Sequence, residues 1–221
     1  MNRAVAWSLA LSLCWSAQEV SAQGLLGKPY VSAQYQTLHV GHDFDAFDTK
    51  MGNGGRVQGN FPLATSDAET AWGGGIDLFG AFSGIGFGLR DPSVPDLKIN
   101  AALLGGDVGF SFYTRATENI RPFAQLGVNW SQTRVSASAS GFSVNENDSD
   151  NTVILTAGVE VDVVPSLALR ASYGRGADGF GSTGFLGEAI VRPGDNWFGR
   201  FSVACDKDTN VIGGFGLGYA W

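Results

Sequence analysis

The chain has 221 residues, of which 44% are hydrophobic and 16% charged, and its formal net charge is −7. Two Cys are too few for a disulfide-built scaffold, and 15 Phe and 6 Trp exclude a disordered chain because they can bury apolar surface. The negative balance argues against nucleic acid as a partner, since phosphate binding requires clustered Lys and Arg.

The first 22 residues have the pattern of an export signal. Arg3 precedes an apolar stretch from Ala4 to Trp15, and small residues lie just before the expected cleavage site. The stretch is about a dozen residues long, shorter than the roughly 20 that a membrane-spanning helix needs. The sequence therefore predicts a signal peptide over 1–22, cleaved after Ala22, and one mature domain over 23–221.

Ten segments with period-2 alternation follow, separated by clusters of Gly, Asn, Asp, Ser and Pro, which is typical of an all-β meander. In chain order the predicted strands are Tyr30–Val40, Arg56–Leu63, Ala71–Phe82, Lys98–Phe112, Arg121–Thr133, Thr152–Val163, Leu167–Gly174, Thr183–Val191, Trp197–Cys205 and Val211–Trp221. An eight-stranded alternative, in which Thr183–Cys205 forms one long outer loop, stays open.

The connections alternate between short and long. The longer or more polar ones are Gly41–Gly55, Ser83–Asp96, Arg134–Asn151 and Arg175–Ser182. Outer-membrane barrels have short periplasmic turns and longer external loops. With an even number of strands, both termini lie on the side of the short turns.

The two faces of the predicted strands differ in charge. In strands two to ten, the face that carries the bulky apolar residues contains no charged residue. The opposite face carries five acids and four bases, namely Arg56, Asp77, Asp107, Arg121, Glu160, Asp162, Arg170, Glu188 and Arg200. A soluble sandwich would turn its polar face to water, whereas a membrane barrel turns its apolar face to lipid and encloses the polar one. The fold class expected is a closed antiparallel up-and-down transmembrane β-barrel whose lumen holds this charge network.

With its signal peptide, alternating strands and terminal Phe215-x-Leu217-x-Tyr219-x-Trp221, the chain resembles the small Gram-negative outer-membrane β-barrel proteins. Its opening Tyr30-Val31-Ser32-Ala33-Gln34-Tyr35 is similar to the first strand of the OmpA-like and OmpX-like porin-family barrels. The resemblance implies that Phe215, Leu217, Tyr219 and Trp221 form the signal read by the barrel-assembly machinery. It also implies passage by periplasmic chaperones to the cell outer membrane.

A barrel of ten strands is close to the size that its own side chains fill, so a wide pore is not expected. The nearly balanced inward charges and the inward Phe79, Phe123 and Phe198 favour a plugged lumen. The expected role is structural or surface-interacting through the external loops, in a monomer. The alternative is a narrow channel for ions or small solutes.

Catalysis and metal binding have little support in the sequence. His39 and His42 lie near Asp43, Asp45 and Asp48, as an omptin-like rim protease would require, but no partner acidic pair is identifiable. No complete metal-ligand set is found either, and no cofactor is expected. The acidic segment Asn145–Asn151 lacks the Gly and distal Glu of a calcium loop, so we expect a solvated loop tip.

Three cations are expected just beyond the apolar band on the side of the long loops. Lys98, Arg134 and Arg175 are placed to contact lipopolysaccharide phosphates there, although snorkelling alone would explain them. The expected partners are therefore outer-membrane lipid and lipopolysaccharide, while the ligand of the loops is not recognisable from the sequence.

Overall fold

The computed structural model describes residues 24–39, 51–66, 73–90, 96–139, 142–177, 179–207 and 210–221. The predicted signal peptide lies outside these residues. Within the described part, no helix has the length and hydropathy that crossing a bilayer requires.

Ten antiparallel strands close into a barrel in which each strand pairs with its neighbours in sequence and β1 pairs with β10. The strands are β1 (Tyr30–His39), β2 (Met51–Thr65), β3 (Gly74–Arg90), β4 (Lys98–Thr114), β5 (Ile120–Ala139), β6 (Phe142–Val164), β7 (Leu167–Arg175), β8 (Thr183–Val191), β9 (Trp197–Asp206) and β10 (Val211–Ala220). The prediction of a closed ten-stranded barrel is confirmed, and the eight-stranded alternative is wrong because β8 and β9 are separate members of the wall.

Several predicted strand ends are wrong in the middle of the chain. Ser83–Asp96 and Arg134–Asn151 were expected to be loops, yet β3 continues to Arg90 and most of the second segment forms the ends of β5 and β6. The prediction stopped where the outward residues became polar or small. Backbone pairing does not stop there, because Arg134 still pairs with Asn147 and Ser138 with Ser143.

The barrel is apolar outside and polar inside. On the outer surface of β6, Val153 and Leu155 are 55% and 66% exposed, whereas the adjacent inward Glu160 is fully buried. Two apolar clusters lie within the barrel. One, near the chain termini, contains Leu25, Tyr30, Ala168, Ile190, Phe198 and Ala220, and the other, near the opposite end, contains Leu38, Ile85, Ala204 and Ile212. The enclosed space thus contains an apolar cluster near each end, together with the buried polar side chains of the wall.

The wall is much taller on one side than on the other. The pairing of β6 with β7 begins only at Leu155 and Arg175, whereas β5 and β6 remain paired up to Ala139 and Phe142. At roughly 3.4 Å per residue, this hairpin projects about 40 Å along the strands beyond the end of β7. The outward face becomes polar above Trp130, an aromatic residue at the height where a lipid boundary is expected.

Candidate functional site

The inner end of the lumen is held by an acid-base cluster on β5 and β6. Arg121 lies opposite Glu160 in the strand register. Its guanidinium pairs with the Glu160 carboxylate at 3.2 Å and with Asp162 at 2.6 Å, and all three side chains are buried. The two carboxylates make this end of the lumen rich in hydrogen-bond acceptors.

The segment that precedes β1 folds into this acceptor-rich end. The backbone N–H groups of Leu25 and Leu26 donate to the two Glu160 oxygens at 3.2 and 3.4 Å, and the N–H of Gly27 donates to Asp77 at 2.8 Å. Leu25 is 1% exposed and packs in the apolar cluster with Tyr30 and Phe198. Sequence reasoning missed this closure; the only signal was an apolar pair, Leu25-Leu26, directly after the expected cleavage site.

Polar side chains of the wall fix the same segment. Asn60 donates both to Asp77 at 2.8 Å and to the carbonyl oxygen of Lys28 at 3.1 Å. Arg192, which directly follows β8, is buried and lies 3.5 Å from the carbonyl oxygen of Gly24. Burial and the nearby Arg192 and Arg121 guanidiniums lower the pKa of Lys28 to about 8.

The centre of the lumen holds two further ion-pair groups. Arg56 pairs with Asp107 at 2.8 Å, and Asn129 donates to the other oxygen of that carboxylate. Glu188 is shared between two bases: Arg200 makes a close ion pair, and Arg170 lies 3.9 Å away. The Arg170 guanidinium also lies over the Phe123 ring, 4.2 Å from its centroid.

The structure thus brings the nine predicted lumen residues into one enclosed space. Eight of them form ion pairs. The ninth, Asp77, accepts its hydrogen bonds from Asn60 and from the Gly27 backbone among the described residues. The sequence could not predict which acid pairs with which base, because the pairing depends on the register between strands.

The outer mouth is covered by the described residues of the connection between β7 and β8, namely 176–177 and 179–182. The Gly179 carbonyl oxygen accepts a hydrogen bond from Asn129 inside the barrel at 3.2 Å, and Phe180 packs against the outer apolar cluster. The tight fold of this connection requires positive φ at Gly176, Gly179 and Gly181. We expected an external loop, and its inward course was missed although three glycines around one Phe are a usable signal.

A cavity of about 80 Å³ lies between the two closures. It is lined mainly by polar side chains, including Gln34, Gln36, Arg56, Asp107, Gln125, Arg170, Glu188 and Arg200. Several of their buried polar atoms have no hydrogen-bond partner within the described residues, among them Gln34 Nε2, Arg170 Nε and Arg200 Nη1.

The predicted lipopolysaccharide-contacting cations do not share one environment. Lys98 and Arg134 are exposed and, by register, lie on the outer face of β4 and β5 above Trp130. Arg134 donates two hydrogen bonds to the neighbouring Gln132. Arg175 ends the low side of the wall, where its guanidinium lies 3.5 Å from the hydroxyl of Thr152.

The predicted catalytic and metal-binding candidates are only partly described. His39 is exposed at the end of β1, while His42 and its neighbouring acids lie outside the described residues. The segment Asn145–Asn151, predicted as a loop tip, is instead an exposed part of β6, in which Asp148 and Asp150 accept hydrogen bonds from the backbone N–H groups of the residues that follow them. Within the described part of the chain, no group of three or more His, Cys, Asp or Glu side chains could hold a metal ion.

The terminal aromatic residues lie on the outer surface of the barrel. Phe215, Leu217 and Trp221 are among the most exposed apolar side chains of the described residues. The Tyr219 ring contacts Trp197 edge-on, with centroids 5.2 Å apart, and the Tyr219 hydroxyl oxygen accepts a hydrogen bond from the Asn196 amide at 2.7 Å. Recognition of these residues by an assembly machinery stays a prediction.

Comparison with known proteins supports the β-barrel fold. The family described as outer membrane protein beta-barrel domain matches residues 7–220. The transport unit of the autotransporter AIDA-I from Escherichia coli is similar in fold, with a TM-score of 0.55 at 12% identity over 100% of this chain and 98% of that one. Ail, the attachment invasion locus protein of Yersinia pestis, is 17% identical over 89% of this chain and 99% of that one, with a TM-score of 0.41. No curated protein matches the chain.

Proposed function

The chain belongs to the outer membrane protein beta-barrel domain family, and on that premise we propose that it is a closed, non-catalytic barrel that displays an extended hairpin at the cell surface. Its apolar outer face supports residence in the outer membrane, after cleavage of the signal peptide. The role is structural and surface-interacting, and solute transport is not part of it.

The observation that carries this proposal is the obstruction of the lumen at both ends. The segment 24–28 occupies the inner end through backbone hydrogen bonds to Glu160 and Asp77. Residues 176–177 and 179–182 occupy the outer end, with Phe180 packed against an apolar cluster. Between them the ion pairs cross-link the wall, and buried pairs of this kind resist separation because removing either partner exposes an uncompensated charge.

Conductance of the refolded protein in planar bilayers tests the closed lumen. We expect the native barrel to give no stable open channel. Deleting 24–28 together with Phe180→Ala should produce discrete small conductance steps, because both closures are then weakened. Phe185→Ala is the matched control, since Phe185 is 48% exposed on the outer face and should leave the lumen closed. Large, stable channels in the native protein would refute the proposal.

A narrow channel is the second candidate, and the central cavity favours it. The cavity is polar and has buried side-chain atoms free to bind passing ions or water. Such a channel would require the 176–182 segment to leave the mouth. If the native barrel conducts in small steps that disappear when this segment is cross-linked to the wall, the channel is correct and the closed barrel is not.

The outer face of the tall hairpin is the proposed contact surface for lipopolysaccharide. By register, Lys98, Asn100, Arg134, Ser136, Asn145 and Asn147 share this face, while Glu146, Asp148 and Asp150 lie on the other one. Cations and amides without intervening carboxylates suit phosphorylated sugars, to which Arg and Lys donate strong hydrogen bonds.

Refolding into vesicles with and without lipopolysaccharide tests this surface. Lys98→Gln with Arg134→Gln should reduce the lipopolysaccharide-dependent gain in thermal stability. Arg175→Gln is the comparison, because the Arg175 guanidinium already contacts Thr152. The double variant removes two charges and Arg175→Gln removes one, so an equal loss per charge removed would show that a general reduction in charge, rather than this face, is responsible.

We also propose that the outward Phe215, Leu217, Tyr219 and Trp221 are read by the barrel-assembly machinery. The exposure of Phe215, Leu217 and Trp221 on the outer surface at the end of the chain supports this role, since another protein can contact them there. Trp221→Ala should slow assembly in membranes that contain the machinery but not spontaneous refolding in detergent. Equal slowing in both would point to a purely structural role.

A further inference from the structure

Three buried hydrogen-bond donors on one wall of the central cavity lack a partner within the described residues. They are Gln34 Nε2, Arg170 Nε and Arg200 Nη1. Each of these three residues is at least nine-tenths buried. All three residues line the cavity of about 80 Å³. We propose that this cavity is a binding site for one small monovalent anion, a halide or a short carboxylate.

The charges around the cavity support an anion rather than a cation. Three bases and two acids line it. Arg56 has its own carboxylate in Asp107, but Arg170 and Arg200 share the single carboxylate of Glu188. Among the residues that line the cavity, bases therefore exceed acids by one.

The other nearby acid is already engaged. Glu160 lies opposite Arg170 in the register of β6 and β7. Its oxygens, however, accept hydrogen bonds from Arg121 and from the backbone N–H groups of Leu25 and Leu26. Asp77 is likewise engaged, since it accepts hydrogen bonds from Asn60 and from the Gly27 N–H, and neither of these two acids lines the cavity.

The strand register explains how the donors reach a common space. Gln34, Gly216 and Arg200 lie side by side on β1, β10 and β9, with the glycine in the middle. A Cβ at Gly216 would stand 2.0 Å from the carbonyl oxygen of Ala33, so the glycine allows β1 and β10 to approach closely between Gln34 and Arg200. Arg170 lines the same cavity from β7.

The size and remaining polar atoms restrict the ligand. A water needs about 10–15 Å³ on this measure, so the cavity has room for a small anion with a few waters but not for a sugar or nucleotide. The acceptors Gln36 Oε1 and Glu188 Oε2 also lack a hydrogen-bond donor within the described residues, although Glu188 Oε2 lies 3.9 Å from Arg170 Nε. We expect waters that accompany the anion to donate to these two oxygens. An anion accepts hydrogen bonds only, and so matches the three unused N–H groups.

The test is to refold the protein from urea in bromide, exchange the buffer to gluconate, and measure both the bromide retained and its anomalous X-ray signal in crystals. We expect about one bromide per chain, located between Gln34, Arg170 and Arg200. Gln34→Leu should reduce the retained bromide several-fold, and Arg170→Gln should abolish it. Gln125→Leu is the matched control, since Gln125 lines the same cavity but already donates to Ser111 at 2.9 Å.

The native protein decides the question even if a variant fails to fold. Absence of an anomalous peak in the cavity, or equal bromide in the native protein and the Arg170→Gln variant, would overturn the site. The inference rests on the proposed closed lumen only for slow exchange of the anion. A bromide peak in a protein that conducts would therefore refute the closed lumen and keep the anion site. A barrel that does not conduct and shows no bromide peak would keep the closed lumen and refute the anion site.

Discussion

Phe198 and Gly218 provide a quantitative test of how the inner end of the lumen is packed. Phe198 is 1% exposed and meets the Tyr30 ring edge-on, with centroids 5.7 Å apart. Gly218 lies directly under it, since a Cβ added there would stand 2.1 Å from Phe198 Cζ. Truncating Phe198 to Ala should cost about 3–5 kcal/mol of unfolding free energy, as for other buried aromatic residues. Gly218→Ala should cost about 1–3 kcal/mol, because the enclosed ring cannot move aside freely.

The double variant is the decisive measurement. In the Phe198→Ala background the space above residue 218 is empty, so Gly218→Ala should become neutral or stabilising, and the two effects should be coupled by at least about 1 kcal/mol. Urea unfolding in lipid vesicles, followed by Trp fluorescence, gives the four free energies. Gly199→Ala is the control, because an added Cβ there meets nothing closer than 3.9 Å. Only the backbone effect should remain, which stabilises the strand by about 0.5–1 kcal/mol. Strict additivity would refute the packing described here.

Three further predictions concern charge. The lowered pKa of Lys28 means that the folded state releases this proton at a lower pH than the unfolded state, so the free energy of unfolding should rise from pH 8 to about 10.5. This rise should be smaller in Lys28→Met, as measured by unfolding midpoints. Glu188→Gln should cost about 3–5 kcal/mol in urea unfolding, since two guanidiniums lose their shared carboxylate, and Asp107→Asn should cost less because its partner reaches water. Asp148→Ala with Asp150→Ala should promote oligomers by light scattering, since these carboxylates cover N–H groups of β6.

Each of these has an outcome that contradicts it. An identical pH profile in the Lys28 variant would mean that another group is responsible. Equal losses at Glu188 and Asp107 would mean that sharing of the carboxylate has no energetic consequence. A monomeric double variant of Asp148 and Asp150 would mean that the two carboxylates are not what keeps the tall edge of β6 unpaired.

The period-2 pattern determined much of the fold because it is a local property. Val153 to Val163 alternates between apolar and polar residues, and this alone assigned one face to lipid and placed Glu160 and Asp162 in the interior. The same pattern failed beyond Thr152. From Asn145 to Asn151 both faces are polar, so hydrophobicity no longer distinguishes a strand from a loop, although the backbone of β5 continues to pair with it.

The sequence by itself determined that the chain is a barrel with charges enclosed, because apolar and ionised side chains lie on opposite faces of strands in which the side-chain direction alternates with a period of two residues. Only the tertiary structure decided what closes the lumen and which charges meet. Leu25 and Glu160 are 135 residues apart in the sequence. They meet because pairing of β1 with β10 closes the barrel, which encloses the segment before β1 together with the inward side chains of β6. Likewise, the unequal sharing of Glu188 by Arg170 and Arg200 follows from strand register, a relation between distant segments that no local pattern contains.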